Sequence, residues 1–254
     1  MANWQDPQMT GVSAATVGVP RAARDVGLRS YMLSVYNYMA SGVLLTGIVA
    51  MLLVNSPLIS LVFNQATGRP TLLPMVALLV SLGVGMWLQA GIMRMSLGTA
   101  KTLFFAYAGL LGIGFSTIFI AYTGVSIAQT FFATAAAFLG LSLWGYTTKK
   151  DLSGWGTFLI MGVWGLIAAM LVNFGIAFFT GHPSTALDFA VSAIGVLIFA
   201  GLTAYDTQVI KSIYAGVGGG TELAARFGIL GAFRLYLDFI NMFLFLLRFM
   251  GNRR

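Results

Sequence analysis

Polar and apolar positions follow one another in long blocks along this chain. Seven apolar stretches of about twenty residues, the length that a helix needs to cross a bilayer, are separated by short polar or glycine- and proline-containing breaks. Each stretch therefore predicts one membrane span. The predicted spans are residues 31–54, 72–93, 102–122, 126–147, 155–179, 187–210 and 229–250.

The pattern predicts an all-α polytopic membrane protein with seven transmembrane helices. Strands of a membrane barrel alternate apolar and polar residues over about ten positions, whereas the apolar runs here are continuous. Short connections make consecutive spans antiparallel neighbours, so residues 31–254 are expected to form a single domain. Residues 1–30 have no apolar core typical of a cleavable signal peptide, and we expect a disordered cytoplasmic arm there.

Composition supports the bilayer as the solvent of this chain. It is 58% hydrophobic and 8% charged, whereas soluble domains carry roughly 25% charged residues. The net charge of +7 comes from basic residues at segment ends, which indicates topology signals and lipid contacts rather than nucleic-acid binding. No cysteine is present and His182 is the single histidine, so thiolate or histidine metal clusters are excluded and no resident cofactor is expected.

Basic residues also predict an orientation. They concentrate before span one and in the connections between spans two and three, four and five, and six and seven. The positive-inside rule therefore places the N-terminus in the cytoplasm. The tail conflicts with this rule, because Arg248, Arg253 and Arg254 would lie outside if the seventh segment crosses the membrane. That segment is either re-entrant or crosses against the rule.

Two carboxylates stand within apolar segments. Asp206 lies in the sixth span and Asp238 in the seventh, where burying a carboxylate costs about 2.5–3.5 kcal/mol and usually marks a bundle interior or a cavity. Arg234 precedes Asp238 by four residues and Asn241 follows it by three, so the three share one helix face. Arg94 closes the second span on the same predicted side as the end of the sixth, and is a third candidate partner.

These residues allow two interpretations. One is a structural ion pair, Asp238 with Arg234 or Asp206 with Arg94, that fixes helix register. The other is that the aspartates meet, so that one holds a proton at neutral pH and an arginine shared with them forms a pH-dependent latch. Two carboxylates with carbonyls and water would bind calcium weakly and transiently, which suits a permeating ion better than a stored one.

Small residues recur at four-residue spacing in several spans. The pairs Gly112/Ser116, Ala136/Gly140 and Ala200/Ala204 would let neighbouring helices approach closely. We expect these pairs to serve ordinary bundle packing.

The two aspartate motifs resemble the Bax inhibitor-1 family, also called the transmembrane Bax inhibitor motif family. Residues 204–208 (AYDTQ) and 235–241 (LYLDFIN) carry the resemblance, and residues 145–153 (GYTTKKDLS) and 101–105 (KTLFF) are similar to its bacterial members. The resemblance covers nearly all of the chain after about residue 25. It implies a location in a bacterial plasma membrane.

Membership would imply two layers of three helices around a central seventh helix. Family members act as pH-sensitive calcium leak channels in which paired aspartates form the sensor and an arginine on the second helix latches one of them. Asp206 and Asp238 match the pair, and Arg94 matches the arginine by its place at the end of span two. Some bacterial relatives are tied to membrane-protein quality control, which implies a membrane protease as a partner.

Rival classes fit the residues less well. An intramembrane aspartyl protease would use Tyr205-Asp206, but residues 235–238 read Leu-Tyr-Leu-Asp in place of Gly-x-Gly-Asp, and the Pro-Ala-Leu element is absent. A serine rhomboid needs Gly-x-Ser-Gly, and a retinal protein needs a lysine in span seven; neither is present. A regulatory protein that modulates a membrane protease without moving ions stays open. We predict that the chain is not an enzyme.

Overall fold

The computed structural model describes residues 21–217 and 221–253, with the side chains of residues 21–25 left undescribed. Within those ranges the chain is an all-α bundle with seven helices long and apolar enough to cross a membrane. In chain order the elements are α1 (Arg21–Val54), α2 (Ile59–Val62), β1 (Phe63–Asn64), β2 (Arg69–Pro70), α3 (Leu72–Gly91), α4 (Leu97–Ala121), α5 (Gly124–Thr147), α6 (Ser153–Thr180), α7 (Thr185–Val217) and α8 (Glu222–Met250).

The predicted spans are confirmed as α1 and α3 to α8, but several helices are longer than their apolar runs. α1 begins at Arg21, so residues 21–30 are helical and the predicted disordered arm is wrong there; residues 1–20 lie outside the described residues. α7 extends to Val217 and α8 begins at Glu222. Backbone hydrogen bonds continue into polar sequence at these ends, which hydropathy does not register.

The connection between the first two spans holds structure that the sequence did not indicate. The four-residue α2 is followed by β1 and β2, which pair antiparallel through Phe63 with Pro70 and Asn64 with Arg69. Gly68, at a φ of 66°, occupies the left-handed backbone region that closes this hairpin.

α8 is the most buried span. Within its apolar window of 18 residues, 72% is buried inside the protein, compared with 17–44% of the corresponding window in each of the other six spans. It contacts α1, α4, α5 and α7, while α3 packs on α4 and α6 packs on α7. α8 therefore lies inside the bundle in contact with four other spans, while the arrangement of the other six in two layers stays a prediction. Large side chains such as Phe233, Tyr236 and Met242 fill the interior around it.

Small residues produce two of the three expected close helix approaches. A Cβ on Gly145 of α5 would overlap the carbonyl oxygen of Ala204 in α7, and a Cβ on Gly112 of α4 would lie 2.8 Å from the carbonyl oxygen of Thr46 in α1. The expectation for Ala136/Gly140 is wrong, because both are exposed and Gly140 has no neighbour within 4 Å. That pair lies on the outer face of α5.

α8 runs from one end of the bundle to the other. Near its start, Arg226 Nη1 donates to the carbonyl oxygens of Met93 and Met95 between α3 and α4, at 3.1 and 3.2 Å. Beyond its end, the carbonyl oxygen of Asn252 accepts from Thr123 N at 3.2 Å, in the turn between α4 and α5. These contacts lie at opposite ends of α4, so the seventh segment crosses fully and is not re-entrant.

One acidic side chain offsets the basic tail. Asp188, in the first turn of α7, lies 3.5 Å from Arg248 Nη1 and 3.9 Å from Arg253 Nη2. Arg253 also lies over the ring of Tyr122, 5.7 Å from its centroid. Its pKa is raised, chiefly by its contact with the Tyr122 hydroxyl. The pairing with Asp188 therefore accounts for Arg248 and Arg253 at the end of the bundle where the positive-inside rule disfavours basic residues. Arg254 lies outside the described residues.

Asp188→Asn is expected to loosen this end of the bundle. The pairs are partly exposed, and such pairs contribute at most about 1 kcal/mol, so exchange of the Thr123 amide should accelerate by no more than roughly fivefold. Hydrogen exchange read by mass spectrometry would measure this. Glu222→Gln is the matched control, because Glu222 pairs with Arg226 at 3.7 Å at the opposite end. Equal exchange in wild type and Asp188→Asn would show that the pairs of Asp188 with Arg248 and Arg253 do not hold this end of the bundle together.

Candidate functional site

The packing of α7 on α8 brings Asp206 and Asp238 to one place. This pair of helices forms the most extensive helix contact in the described structure, and Gly231 of α8 lets Ile210 of α7 pack closely against it. Asp206 is 9% exposed and Asp238 is 4% exposed. The structure therefore brings the two predicted residues to one cavity. Their role as a pH sensor stays a prediction.

Both aspartates line one cavity of about 650 Å³ between α3, α6, α7 and α8. Its walls are mostly apolar, and its polar side chains are few and convergent, which is typical of a binding site. The polar members are Gln89, Tyr205, Asp206, Arg234, Asp238 and Asn241.

Arg234 supplies the positive charge in this cavity. Its Nη1 lies 3.8 Å from Asp206 Oδ1, and the arginine side chain is 40% exposed against 12% for Asp206. The ion pair joins α8 to α7 across the cavity. Of the two pairings that the sequence left open, the structure forms neither: Asp206 pairs with Arg234, one turn of α8 away from Asp238.

Asp238 has an unsatisfied oxygen. Its Oδ2 is buried and has no hydrogen-bond partner among the described residues. An ionised carboxylate oxygen without a donor is costly in such a place. A proton on this atom, or a cation beside it, would remove that cost. In this cavity the charge of Asp206 is balanced by Arg234, whereas Asp238 still requires a proton or a cation.

Arg94 lies away from the aspartates. α3 ends at Gly91, and Arg94 follows in a turn, with its backbone N–H bonded to the Gly91 carbonyl oxygen at 2.8 Å and its side chain exposed. Within the described residues it forms no ion pair with Asp206 or Asp238, so the expected Arg94–Asp206 pair is absent. The side chain that α3 directs into the cavity is Gln89, one turn earlier. A glutamine inside an apolar span was the signal that sequence reasoning passed over.

Tyr205 and Asn241 line the cavity as expected. Asn241 Nδ2 donates to the carbonyl oxygen of Leu237 at 2.8 Å, which leaves the side-chain oxygen and one N–H of the amide without a partner in that bond. Tyr205 packs on α6 at Gly156, where a Cβ would lie 2.5 Å from the tyrosine hydroxyl. Gly156 therefore leaves the space that the tyrosine ring occupies.

A chain of hydroxyl groups holds α7 on the side away from the cavity. Thr207 Oγ1 donates to the carbonyl oxygen of Thr203 at 2.7 Å. It must therefore accept from Ser142 Oγ, 2.9 Å away, and Ser142 in turn accepts from Tyr36 at 2.6 Å. The chain links α1, α5 and α7 one residue beyond Asp206, and so limits rotation of the helix that carries this carboxylate.

Gln208 fixes the connection between α5 and α6 to the same helix. Its Oε1 accepts from Leu152 N at 2.8 Å, and its Nε2 donates to the carbonyl oxygen of Lys150 at 2.8 Å. Within this connection the Ser153 N–H donates to Asp151 Oδ1, which lowers the pKa of Asp151. Residues 204–208, one of the two aspartate motifs, are thus in contact with residues 145–153, the stretch similar to bacterial members of the family.

The donor set does not form a strong metal site. No group of three or more histidine, cysteine, aspartate or glutamate side chains lies together in the described part of the chain. Calcium takes six to eight oxygen ligands, and the cavity offers two carboxylates, with Asn241, Gln89 and Tyr205 as neutral oxygens. Such a set fits a weak, transient cation better than a stored one.

A seven-span helical membrane protein with a buried aspartate pair is the class that this fold and site define. The family model described as inhibitor of apoptosis-promoting Bax1 matches residues 28–254, and the chain therefore belongs to the Bax inhibitor-1 family.

Bacterial relatives match along nearly their whole length. The chain is 46% identical to the protein RP147 of Rickettsia prowazekii over 231 residues, covering 91% of this chain and 92% of the relative. It is 45% identical to the inner membrane protein YbhL of Escherichia coli, covering 92% and 95% respectively. A Caulobacter vibrioides protein is 43% identical, covering 91% of each chain.

Proposed function

We propose that this protein is a pH-sensitive cation leak channel that passes calcium and is gated by Asp206 and Asp238. The observation that carries the proposal is the placement of both buried carboxylates and the single guanidinium of Arg234 in one cavity. Ionisable groups inside a membrane bundle mark ion or proton pathways by default. The mostly apolar wall around them gives each charge a strong effect on its neighbours.

Arg234 acts as the latch in this proposal. While Asp206 is ionised, its contact with Arg234 holds α8 to α7 across the cavity. Protonation of Asp206 removes that attraction and frees the two helices to separate there. Asp238 tunes the step, because its charge competes for the same guanidinium and its Oδ2 lacks a hydrogen-bond donor. The latch therefore weakens as the pH falls.

Weak coordination suits an ion that passes through. Conduction needs binding that is favourable enough for entry and weak enough for release. Two carboxylates can replace part of the hydration shell of calcium, and the side-chain oxygens of Asn241 and Gln89 add neutral ligands. The chain's own residues would attract and orient the ion without retaining it.

The setting we propose is a bacterial inner membrane with the N-terminus in the cytoplasm. The name of the Escherichia coli relative supports the membrane. The basic connections between spans two and three, four and five, and six and seven support the orientation.

Flux into liposomes tests the function directly. The purified wild-type protein is reconstituted, and calcium entry is followed with an enclosed dye across pH about 5 to 8, where carboxylate pairs in apolar sites titrate. We expect protein-dependent entry that rises as the pH falls. Absence of flux at every pH from folded protein would refute the channel and favour a regulator of a membrane protease. Cleavage of a model transmembrane peptide would favour the aspartyl protease instead.

A further inference from the structure

A second cavity lies apart from the aspartates. It is a groove of about 610 Å³ along the outer face of α1, bordered by α4. It shares no residue with the di-aspartate cavity. Its polar lining residues are Arg29, Ser30, Ser34, Asn37, Tyr38 and Ser41.

The groove is polar and basic although it lies on the outside of a membrane helix. None of its lining residues is acidic, and neither Arg29 nor Lys101 forms an ion pair with a described side chain. Lys101 of α4 reaches over the ring of Tyr38, 5.4 Å from its centroid. Arg29 therefore lines the groove and Lys101 borders it through its contact with Tyr38, and neither cation is paired with an anion among the described side chains.

Several polar side chains in the groove lack partners. Ser41 donates to the carbonyl oxygen of Asn37 at 2.7 Å, but the side chains of Ser30, Ser34 and Asn37 form no hydrogen bond with a described residue. Unpartnered polar side chains at the edge of a bilayer favour a ligand that can accept their hydrogen bonds. A ligand with phosphate and ester oxygens would satisfy these donors.

The depth of the groove identifies its surroundings. About twenty residues span the hydrocarbon core, and counting back from Val54 reaches Val35. Arg29, Ser30 and Ser34 therefore lie beyond the core in the headgroup region, while Asn37 stands at its boundary. The groove extends over about 22 Å of helix, and its deeper part is bordered by Phe105. The cationic outer part of the groove matches a lipid headgroup, and the aromatic deeper part matches the start of an acyl chain.

We propose that this groove binds an anionic phospholipid, with the phosphate between Arg29 and Lys101 and the acyl chain against Phe105. Basic pockets between membrane helices hold such headgroups. Ser30, Ser34 and Asn37 donate to the phosphate and ester oxygens. The site is independent of the aspartates and of the ion that they are proposed to gate.

Native mass spectrometry of the full-length protein tests the site. The protein is equilibrated with equal amounts of phosphatidylglycerol and phosphatidylcholine of identical acyl chains, and the retained lipids are counted. Wild type is expected to retain phosphatidylglycerol preferentially. Replacing Arg29 and Lys101 together by glutamine should lower that preference by about fivefold for each cation removed.

Two further variants separate a built site from general surface charge. Replacing Lys149 and Lys150 by glutamine removes the same charge on the same predicted side, at exposed positions outside the groove, and should leave the preference unchanged. Asn37→Leu retains both cations but removes the amide, and should lower retention.

Three outcomes would overturn the site. The first is that wild type shows no preference for phosphatidylglycerol over phosphatidylcholine. The second is that the Arg29/Lys101 and Lys149/Lys150 double variants lose that preference equally. The third is that wild type forms a dimer without bound lipid and that the Arg29/Lys101 double variant is monomeric. The last would assign the groove to a second copy of the chain.

Discussion

Replacing Arg234 by glutamine is expected to remove the pH dependence of calcium flux and to leave the flux high at every pH. Glutamine retains polarity in the cavity but has no charge for Asp206, so the contact at 3.8 Å between α8 and α7 loses its electrostatic part. For a partly exposed pair this contact is worth about 1 kcal/mol, which shifts the closed population roughly fivefold. Flux into liposomes at pH about 8, where wild type is held closed, would reveal the increase most clearly.

Arg94→Gln is the matched control for this variant. Arg94 is the arginine that the family resemblance favoured as the latch, but its side chain is exposed and lies outside the cavity. We expect Arg94→Gln to retain the pH response of wild type. If Arg94→Gln lost the response while Arg234→Gln retained it, the latch would belong to the end of α3, and the Arg234–Asp206 pair would be a structural contact.

Gly145→Ala is expected to destabilise the protein more than any other single methyl addition to α5. The added Cβ would overlap the carbonyl oxygen of Ala204, a backbone atom that cannot rotate away. α5 and α7 would have to separate, and overpacking of this kind costs about 1–3 kcal/mol. Because Ala204 lies two residues before Asp206, we also expect a displaced pH response. Thermal unfolding in detergent would measure the loss of stability.

Gly140→Ala provides the comparison on the same helix. Gly140 is exposed, and no atom lies within 4 Å of the Cβ it would acquire. The same chemical change should therefore leave the melting temperature close to that of wild type. Equal melting temperatures for the two variants would mean that α5 and α7 do not approach as closely as the structure indicates.

The membrane fold could be predicted because insertion requires long apolar runs. All seven spans follow from hydropathy alone, since a helix without such a run cannot remain in the bilayer. The polar ends of α1, α7 and α8 could not be predicted in the same way. They are helical because of local hydrogen bonds and caps, such as Thr221 Oγ1 accepting from Ala224 N at 3.1 Å.

The site was predictable only in part. Asp206 and Asp238 stood out because carboxylates within apolar segments are rare, and their packing together follows from the adjacent helices that carry them. Which arginine meets them depends on helix rotation and on the length of α3. The rotation of α8 places Arg234 in the cavity, and the end of α3 at Gly91 leaves Gln89 inside the cavity and Arg94 outside it.

The full crossing of the seventh segment also needed the structure. Sequence charge alone favoured neither a crossing nor a re-entrant segment. The pairing of Asp188 with Arg248 and Arg253 is a contact between residues sixty or more positions apart, which no local pattern signals.

Calcium flux through Asp206→Asn and Asp238→Asn, compared with wild type across pH about 5 to 8, tests the central claim most directly. Asp206→Asn removes the anion that holds Arg234, so its flux should be high and independent of pH. Asp238→Asn leaves the Arg234–Asp206 pair intact and removes its competitor, so its flux should stay low down to a more acidic pH than in wild type. A pH response like that of wild type in either variant would contradict gating by the aspartate pair.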